Sequence, residues 1–508
     1  MLKYIQGVVM KLRSLIINII SILFVIPLYY IVGNNNIFLY TYSIYLYLIL
    51  SSCFKHVDIT SNISEYCNKK YIYSLNTIYK YTNKSIILIN IILSLIVLIS
   101  SILLNKLFNI KGFVLVNTIM SLTLFIRPIL KNIKSVCEVY NCKQILNNIF
   151  DIYNILNFII KLCSVIICFK VLKLDSYKSI SIIYLSSILS FILIYLLYNY
   201  LVLSIKIKKK QYKTREERIN YKNEIKDILS RNINISIESI FKYSYFYISI
   251  IILYFILKNR YGYSYDKLSN VINNFYLYGI SLVYIFVIIF KYLENDNINK
   301  LINNKSNILF DDYLINIFKK ILSFIVIICM ISGSIWMIIY GNNEGYILYM
   351  LSNLLVFYLF YDIIVSITIS NISNKKLYII FGIGIIIKLV FIVPLISAIY
   401  RMGFNLLYGD LFSSIISYIV VIILLLISNK NKYKINFAKK FDLILNAIYY
   451  NILLCIVLLL ASLIVNVKVV SRINAIKVIL VYLFISYLYI FIRRRRDKNE
   501  RIIIRNKK

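Results

Sequence analysis

Long, uninterrupted apolar runs limit what this chain can fold into more than any other feature of its sequence. Residues 22–50 read ILFVIPLYYIVGNNNIFLYTYSIYLYLIL, which is two such runs separated by Gly33 and three asparagines. About fourteen runs of this kind, each close to 20 residues, follow one another along the 508-residue chain. A helix of about 20 residues crosses the roughly 30 Å hydrocarbon core of a bilayer. We therefore predict an all-α integral membrane protein with about 14 transmembrane helices.

The composition agrees with a membrane protein and argues against a nucleic-acid-binding protein. Hydrophobic residues make up 60% of the chain and charged residues 16%, against about 45–50% and about 25% in average soluble proteins. The formal net charge of +37 is high enough for a nucleic-acid-binding protein. The lysines and arginines, however, lie in the gaps between the apolar runs, where a membrane protein has them. No nucleic-acid partner is expected.

The distribution of basic residues predicts the orientation. The odd-numbered connections between runs are short and hold few Lys and Arg, whereas both ends and the even-numbered connections hold most of them. By the positive-inside rule, both termini and the even-numbered connections are cytoplasmic. The basic connections are expected to contact anionic membrane lipids.

The longest basic connection, KIKKKQYKTREERINYKNEIKDILSR, divides the chain. We expect two six-helix lobes that surround a central cavity, followed by an extra helix pair. The boundaries expected for these parts are 1–205 for the N-terminal lobe, 206–231 for the basic cytoplasmic linker, 232–428 for the C-terminal lobe, 429–493 for the extra helix pair and 494–508 for a basic cytoplasmic tail.

Motifs of catalysis and metal binding are missing from the sequence. It has no GxxxxGK[ST] loop for nucleotide phosphates, no HExxH and no GxSxG. The eight cysteines form no CxxC, and His56 is the single histidine. We expect no enzyme, no catalytic residues, no metal and no cofactor.

Charges inside the apolar runs are the remaining candidates for function, because a charge in the bilayer is costly. Lys161 and Lys388 lie near the middle of the fifth and eleventh runs, and Asp362 lies in the tenth. Asp362 and Lys388 are expected to lie close enough to pair, either for ion coupling or to fix two helices. Glu238 and Lys242 lie in the first turns of the seventh run, within the bilayer or at headgroup level. Lys161 has no carboxylate at its depth, which favours an anionic substrate or a water-filled cavity.

Several segments, in the right order, resemble one transporter family. IPLYYIVGNNNIFLYTYSIYLYLILSS (26–52) resembles the first helix hairpin of the stage V sporulation protein B and polysaccharide-exporter family. LKNIKSVCEVYNCKQILNNIFD (130–151) is similar to its segment after helix 4, and residues 361–418 are similar to its helix 10–12 region. The family belongs to the multidrug/oligosaccharidyl-lipid/polysaccharide exporter superfamily.

This resemblance implies a flippase of the bacterial cytoplasmic membrane that works by alternating access and needs no second subunit. Its substrate would be a polyprenyl-pyrophosphate-linked sugar, either a lipid II-like peptidoglycan precursor or a polysaccharide repeat unit, in the vegetative cell wall, the spore or the capsule. Lipid II flippases of the superfamily hold the pyrophosphate with cations in the first helices, but this chain has Ile19, Val25 and Ile49 there.

The substrate charge is therefore expected to meet Lys161, Lys242 or Lys388, with Asp362 and Glu238 as residues for ion coupling or structure. Two other interpretations stay open. One is a multidrug/cation antiporter of the same superfamily, which needs a carboxylate within the membrane such as Asp362. The other is a membrane scaffold that transports nothing.

Overall fold

The computed structural model contains only helices and their connections in the part of the chain that it describes. That part comprises residues 13, 15–17, 19–33, 37–52, 72–139, 143–208, 221–303, 307–342, 344–368, 372, 374–428, 441–465 and 471–506. The prediction of an all-α membrane protein is confirmed.

Twelve of the described helices are long and apolar enough to cross a membrane. Two shorter apolar helices, Phe38–Ser52 and Ile448–Leu460, bring the number to the fourteen that the sequence predicts. The apolar parts are α1 Leu15–Val32, α2 Phe38–Ser52, α3 Tyr79–Phe108, α4 Phe113–Ile133, α5 Asp151–Val171, α6 Ser176–Leu197, α7 Glu238–Arg260, α8 Tyr265–Asn295, α9 Leu314–Tyr340, α10 Tyr346–Thr368, α11 Lys375–Arg401, α12 Leu407–Ser428, α13 Ile448–Leu460 and α14 Arg472–Ile492. Some of these helices continue beyond their apolar part, as in Arg472–Asn506.

The turn after α1 begins at the glycine that the sequence indicates. Gly33 has φ 75°, and its N–H donates to the carbonyl oxygen of Tyr29 at 3.3 Å. A residue with a side chain would be strained at this positive φ, so glycine is the natural residue to end the helix. The three asparagines that follow lie outside the described residues.

The chain divides into two compact units, Met1–Tyr278 and Gly279–Lys508. In the first unit, α2 packs against α7, α3 against α4, and α5 against α6. Buried aromatic rings fill the space between these helices. The rings of Phe108 and Phe113, for example, are stacked with their centroids 5.3 Å apart. Two π-helical turns interrupt the described helices of this unit, at Ile166–Val171 and Ile256–Arg260, and a third, Asn273–Gly279, lies where the unit ends along the chain.

In the second unit, α11 and α12 form a close antiparallel pair, and α9 packs against α10, α13 and α14. A Cβ atom on Gly409 of α12 would lie 2.5 Å from the Cα atom of Ile396 in α11, so the two backbones meet at this glycine. A buried cluster fixes α13 and α14 on α9, and its members are Ile331, Leu454, Leu458, Val478 and Tyr482.

The expected lobe boundaries and the orientation in the membrane stay predictions. Residues 209–220, the central part of the expected basic linker, lie outside the described residues. The side chains of the expected tail, 494–508, also lie outside them.

Candidate substrate-binding cavity

A break in α4 places an arginine at the start of a second helical segment. The helix Phe113–Leu122 ends, a three-residue turn follows, and a second helix runs from Ile126 to Val139. Pro128 is the third residue of the second helix, where its missing N–H leaves no helical hydrogen bond unmade. Arg127, next to it, therefore lies in the first turn of the new helix and within the apolar part of α4.

Arg127 and Lys161 line one cavity of about 190 Å³ in the first unit, which we call the cationic cavity. The guanidinium group of Arg127 lies 5.9 Å from the ring centroid of Tyr47, and the ammonium group of Lys161 lies 5.9 Å from that of Phe24. Helices α1, α2, α4, α5 and α6 supply the wall. Its described residues are Ser21, Phe24, Tyr40, Ile44, Tyr47, Leu48, Thr123, Ile126, Arg127, Tyr153, Asn154, Asn157, Phe158, Lys161, Tyr184 and Ser187.

The wall combines positive charge with hydrogen-bonding groups. No carboxylate is among the described residues that line the cavity, whereas four tyrosines and two asparagines are. The nearest acidic residue along α5, Asp151, is engaged by Arg13 at 2.8 Å. Two cations in a membrane-spanning segment are costly unless an anion or water offsets them. The cavity is therefore suited to an anionic group.

Hydrogen bonds and ring contacts hold the tyrosine side of the cationic cavity in place. The hydroxyl groups of Tyr184 and Ser43 are 2.7 Å apart and share a hydrogen bond. The ring of Tyr184 also stacks on that of Tyr40, with the centroids 5.8 Å apart. These contacts connect α2 with α6, so the two tyrosines have fixed positions before a ligand enters.

Lys388 lies in the second unit and has a different environment from Lys161. Its ammonium group donates to the hydroxyl of Ser414 at 2.8 Å and lies 3.5 Å from a carboxylate oxygen of Asp410. The side chains of Lys388 and Asp410 are 2% and 4% exposed. The cation is thus buried beside a carboxylate of the next helix.

The ion pairs in the structure differ from the expected pairing of Asp362 with Lys388. Asp362 pairs with Lys291 of α8, while Lys388 pairs with Asp410. The positions of Asp362 and Lys388 along their helices suggested that these two residues would pair. The packing of α11 against α12 instead brings Asp410, in the first turn of α12, to Lys388.

Glu238 and Lys242 lie one helical turn apart on α7 and are both half-buried. Neither is among the described residues that line the cationic cavity. Of the three predicted substrate cations, Lys161 is therefore the one found among the described residues that line the cavity. Arg127 was missed, although the Arg-Pro pair inside an apolar run was a signal for it.

Comparison with known proteins shows which solved structures have a similar fold. No protein-family model matches the chain, and no match was found among the curated proteins. The solved structure of the lipid II flippase MurJ in an inward closed conformation is similar over 96% of this chain and 99% of that chain, with a TM-score of 0.66 and 14% sequence identity. The chain has the fold of that flippase.

Two MATE structures are also similar. An inward-facing MATE family transporter of the MOP superfamily matches with a TM-score of 0.53 and 12% identity, over 83% of this chain and 94% of that one. A MATE protein in complex with MaD5 matches with a TM-score of 0.52 and 11% identity, over 83% of this chain and 95% of that one. At these identities the likeness concerns the fold.

Proposed function

We propose that this protein is a membrane transporter of the MOP superfamily that moves a polyprenyl-pyrophosphate-linked sugar across the bacterial cytoplasmic membrane. The observation that carries the proposal is the cationic cavity, which has Arg127 and Lys161 in its wall and no carboxylate among its described lining residues. A pyrophosphate group fits this charge, since arginine and lysine both bind phosphate oxygens through charge-assisted hydrogen bonds.

In the proposed mechanism, Arg127 and Lys161 hold the pyrophosphate while Tyr47, Tyr153 and Asn157 provide rings and hydrogen bonds for the first sugar. The polyprenyl tail stays in the lipid. Each sugar hydroxyl that crossed bare hydrocarbon would cost several kcal/mol, so a polar path removes most of the barrier. The cavity then opens alternately to the two sides, and the protein works as a monomer with both termini in the cytoplasm.

A multidrug/cation antiporter is the second candidate. The similarity to MATE transporters supports it, and Asp362 is a carboxylate with a 6% exposed side chain in α10. Against it, Asp362 already has a cationic neighbour in Lys291. In an antiporter, Asp362→Asn abolishes export of cationic drugs while Arg127 and Lys161 tolerate substitution.

The test is complementation of a bacterium depleted of its own lipid II flippase. Accumulation of the lipid-linked precursor at the inner leaflet is measured with the wild-type chain, with Arg127→Ala, with Lys161→Ala and with the double variant. Lys106→Ala is the matched control, because it removes an exposed lysine at the end of α3, away from the cationic cavity.

We expect the wild-type chain and Lys106→Ala to prevent accumulation, and the double variant to fail although it is inserted in the membrane. Wild-type activity of the double variant would refute the assignment of the cavity. Failure of the inserted wild-type chain would refute the lipid II-like substrate, and drug export by that chain would then support the antiporter.

A further inference from the structure

A second and larger cavity lies at one end of the first unit. Its volume is about 650 Å³, within the range of about 300–1,000 Å³ that is usual for small-molecule sites. The connections α3–α4, α5–α6 and α7–α8, together with the helix ends that flank them, form most of its wall. All three are odd-numbered connections, which the positive-inside rule places on the extracytoplasmic side.

Tyrosine rings and lysines together line this cavity, which we call the outer pocket. Its polar and aromatic wall includes Lys111, Tyr177, Tyr254, Lys258, Tyr263 and Tyr265. The ammonium group of Lys258 donates to the carbonyl oxygen of Phe108 at 3.3 Å and to the Tyr254 hydroxyl at 3.4 Å. The ammonium group of Lys111 lies 3.4 Å from a carboxylate oxygen of Asp175, which also lines the pocket.

The backbone around the outer pocket has several uncommon conformations. Asn109 lines the pocket with φ 51°, and Lys173, which precedes the lining residue Leu174 in the chain, has φ 46°. Residues with side chains adopt such angles at a cost. The π-helical turns Ile166–Val171 and Ile256–Arg260 contribute Phe169 and Lys258 to the wall, and π-helical turns are frequent at functional sites. A specific local shape is therefore maintained here.

One close contact fixes a tyrosine of the outer pocket. Gly112 has φ 80°, and a Cβ atom on it would lie 2.3 Å from the Cβ atom of Tyr177. Tyr177 therefore occupies the space that any larger residue at position 112 would need. The tyrosine is held against the α3–α4 connection by backbone geometry.

We infer that the outer pocket binds a saccharide that carries an anionic group. A pyranose ring has C–H groups on its faces, which pack on aromatic rings, and hydroxyl groups around its edge, which need hydrogen-bond partners. The outer pocket offers both, with tyrosine rings from α6, α7, α8 and the α7–α8 connection and donors or acceptors from Lys258, Asp175 and Asn109. Two lysines against one aspartate among its described lining residues favour an acidic sugar.

This inference rests on the proposed function for the class of ligand, and the site is distinct from the cationic cavity. The same acidic sugar chemistry has two sources, the headgroup of the transported lipid after it has crossed the membrane and a free glycan outside the cell. The two cavities share no lining residue among those described. Substitutions can therefore separate the outer pocket from transport.

The experiment is saturation-transfer-difference NMR on the full-length protein in lipid nanodiscs. The probe is the soluble disaccharide of N-acetylglucosamine and N-acetylmuramic acid, which has one carboxylate, and neutral chitobiose is compared with it. The variants are Tyr263→Leu, Tyr263→Phe and Lys258→Met. The matched control is Tyr400→Leu, which removes an exposed tyrosine near the end of α11 in the second unit.

We expect saturable binding of the acidic disaccharide, stronger than that of chitobiose, with magnetisation transfer to the C–H protons of one sugar face. Loss of the ring in Tyr263→Leu should weaken binding about three- to tenfold. Tyr263→Phe should keep most of the affinity, because the ring remains. Lys258→Met should reduce the preference for the acidic sugar, and Tyr400→Leu should bind as the wild type does.

Two further samples separate this inference from the proposed function. The double variant Arg127→Ala/Lys161→Ala should still bind the disaccharide, although it is expected to lose transport. If the transported lipid is the source of the sugar, lipid-linked precursor in the nanodisc should displace the disaccharide. If a free glycan is the source, soluble glycan should displace the disaccharide and the lipid-linked precursor should not. No saturable binding up to about 10 mM, or binding that Tyr263→Leu and Lys258→Met leave unchanged, overturns the inference.

Discussion

The buried pair of Lys388 and Asp410 should contribute strongly to the stability of the second unit. At 3.5 Å and an effective dielectric constant of about 20, their Coulomb attraction is about 5 kcal/mol. Removal of one partner leaves the other charge buried, which costs about 3 to 5 kcal/mol. We therefore expect Lys388→Met and Asp410→Asn each to lower the free energy of unfolding by about this amount.

The double variant Lys388→Met/Asp410→Asn should be more stable than the two single effects predict, because it leaves no charge behind. We expect a coupling energy of at least about 2 kcal/mol. The measurement is the free energy of unfolding in mixed micelles with increasing SDS. Lys375→Met is the matched control, since Lys375 is an exposed lysine on the same helix, and it should change this free energy by less than about 0.5 kcal/mol.

Additive single effects, or a cost for Lys388→Met no larger than that for Lys375→Met, would refute this reasoning. The same variants test Lys388 as a substrate cation. If the double variant is stable and still transports, the pair has a structural role. If it is stable and inactive, the predicted substrate role of Lys388 is supported.

Two more predictions concern packing and hydrogen bonding. Gly409→Ala should destabilise the protein by about 1 to 3 kcal/mol, because the added methyl group would lie 2.5 Å from the backbone of Ile396. Gly382→Ala, where the space within 4 Å is open, should instead stabilise the helix by up to about 1 kcal/mol, so similar losses in both variants would contradict this. Thr41→Val should cost about 1 to 3 kcal/mol in SDS unfolding, since the buried Thr41 hydroxyl donates to Asn273 at 2.6 Å. A Thr41→Ser variant that keeps the hydroxyl is the control, and an equal loss in Thr41→Ser and Thr41→Val would show that the hydrogen bond contributes nothing.

The helices of this protein could be predicted almost completely from its sequence. Apolar length is a local property, so each run could be compared with the thickness of a bilayer without knowledge of its neighbours. The first turn was also readable, because a positive φ such as that of Gly33 needs glycine.

The candidate site was predictable only in part. Lys161 stood out because a lysine in the middle of an apolar run has few structural explanations. Arg127 lies within the apolar part of α4 but was overlooked beside Pro128, and only the structure showed that it lines the same cavity as Lys161. The ion-pair partners of Lys388 and Asp362 could not be read from depth alone.

The sequence by itself determined the class of protein, the number of membrane-spanning helices and the excess of positive charge within them. These follow from hydropathy and charge summed along the chain, which do not depend on packing. The tertiary structure decided which charges meet, because neighbours across helices depend on the rotation and close approach of each helix. Gly409 lets α12 approach α11, where Asp410 meets Lys388, while the wall of the cationic cavity keeps Arg127 and Lys161 clear of carboxylates among the residues described.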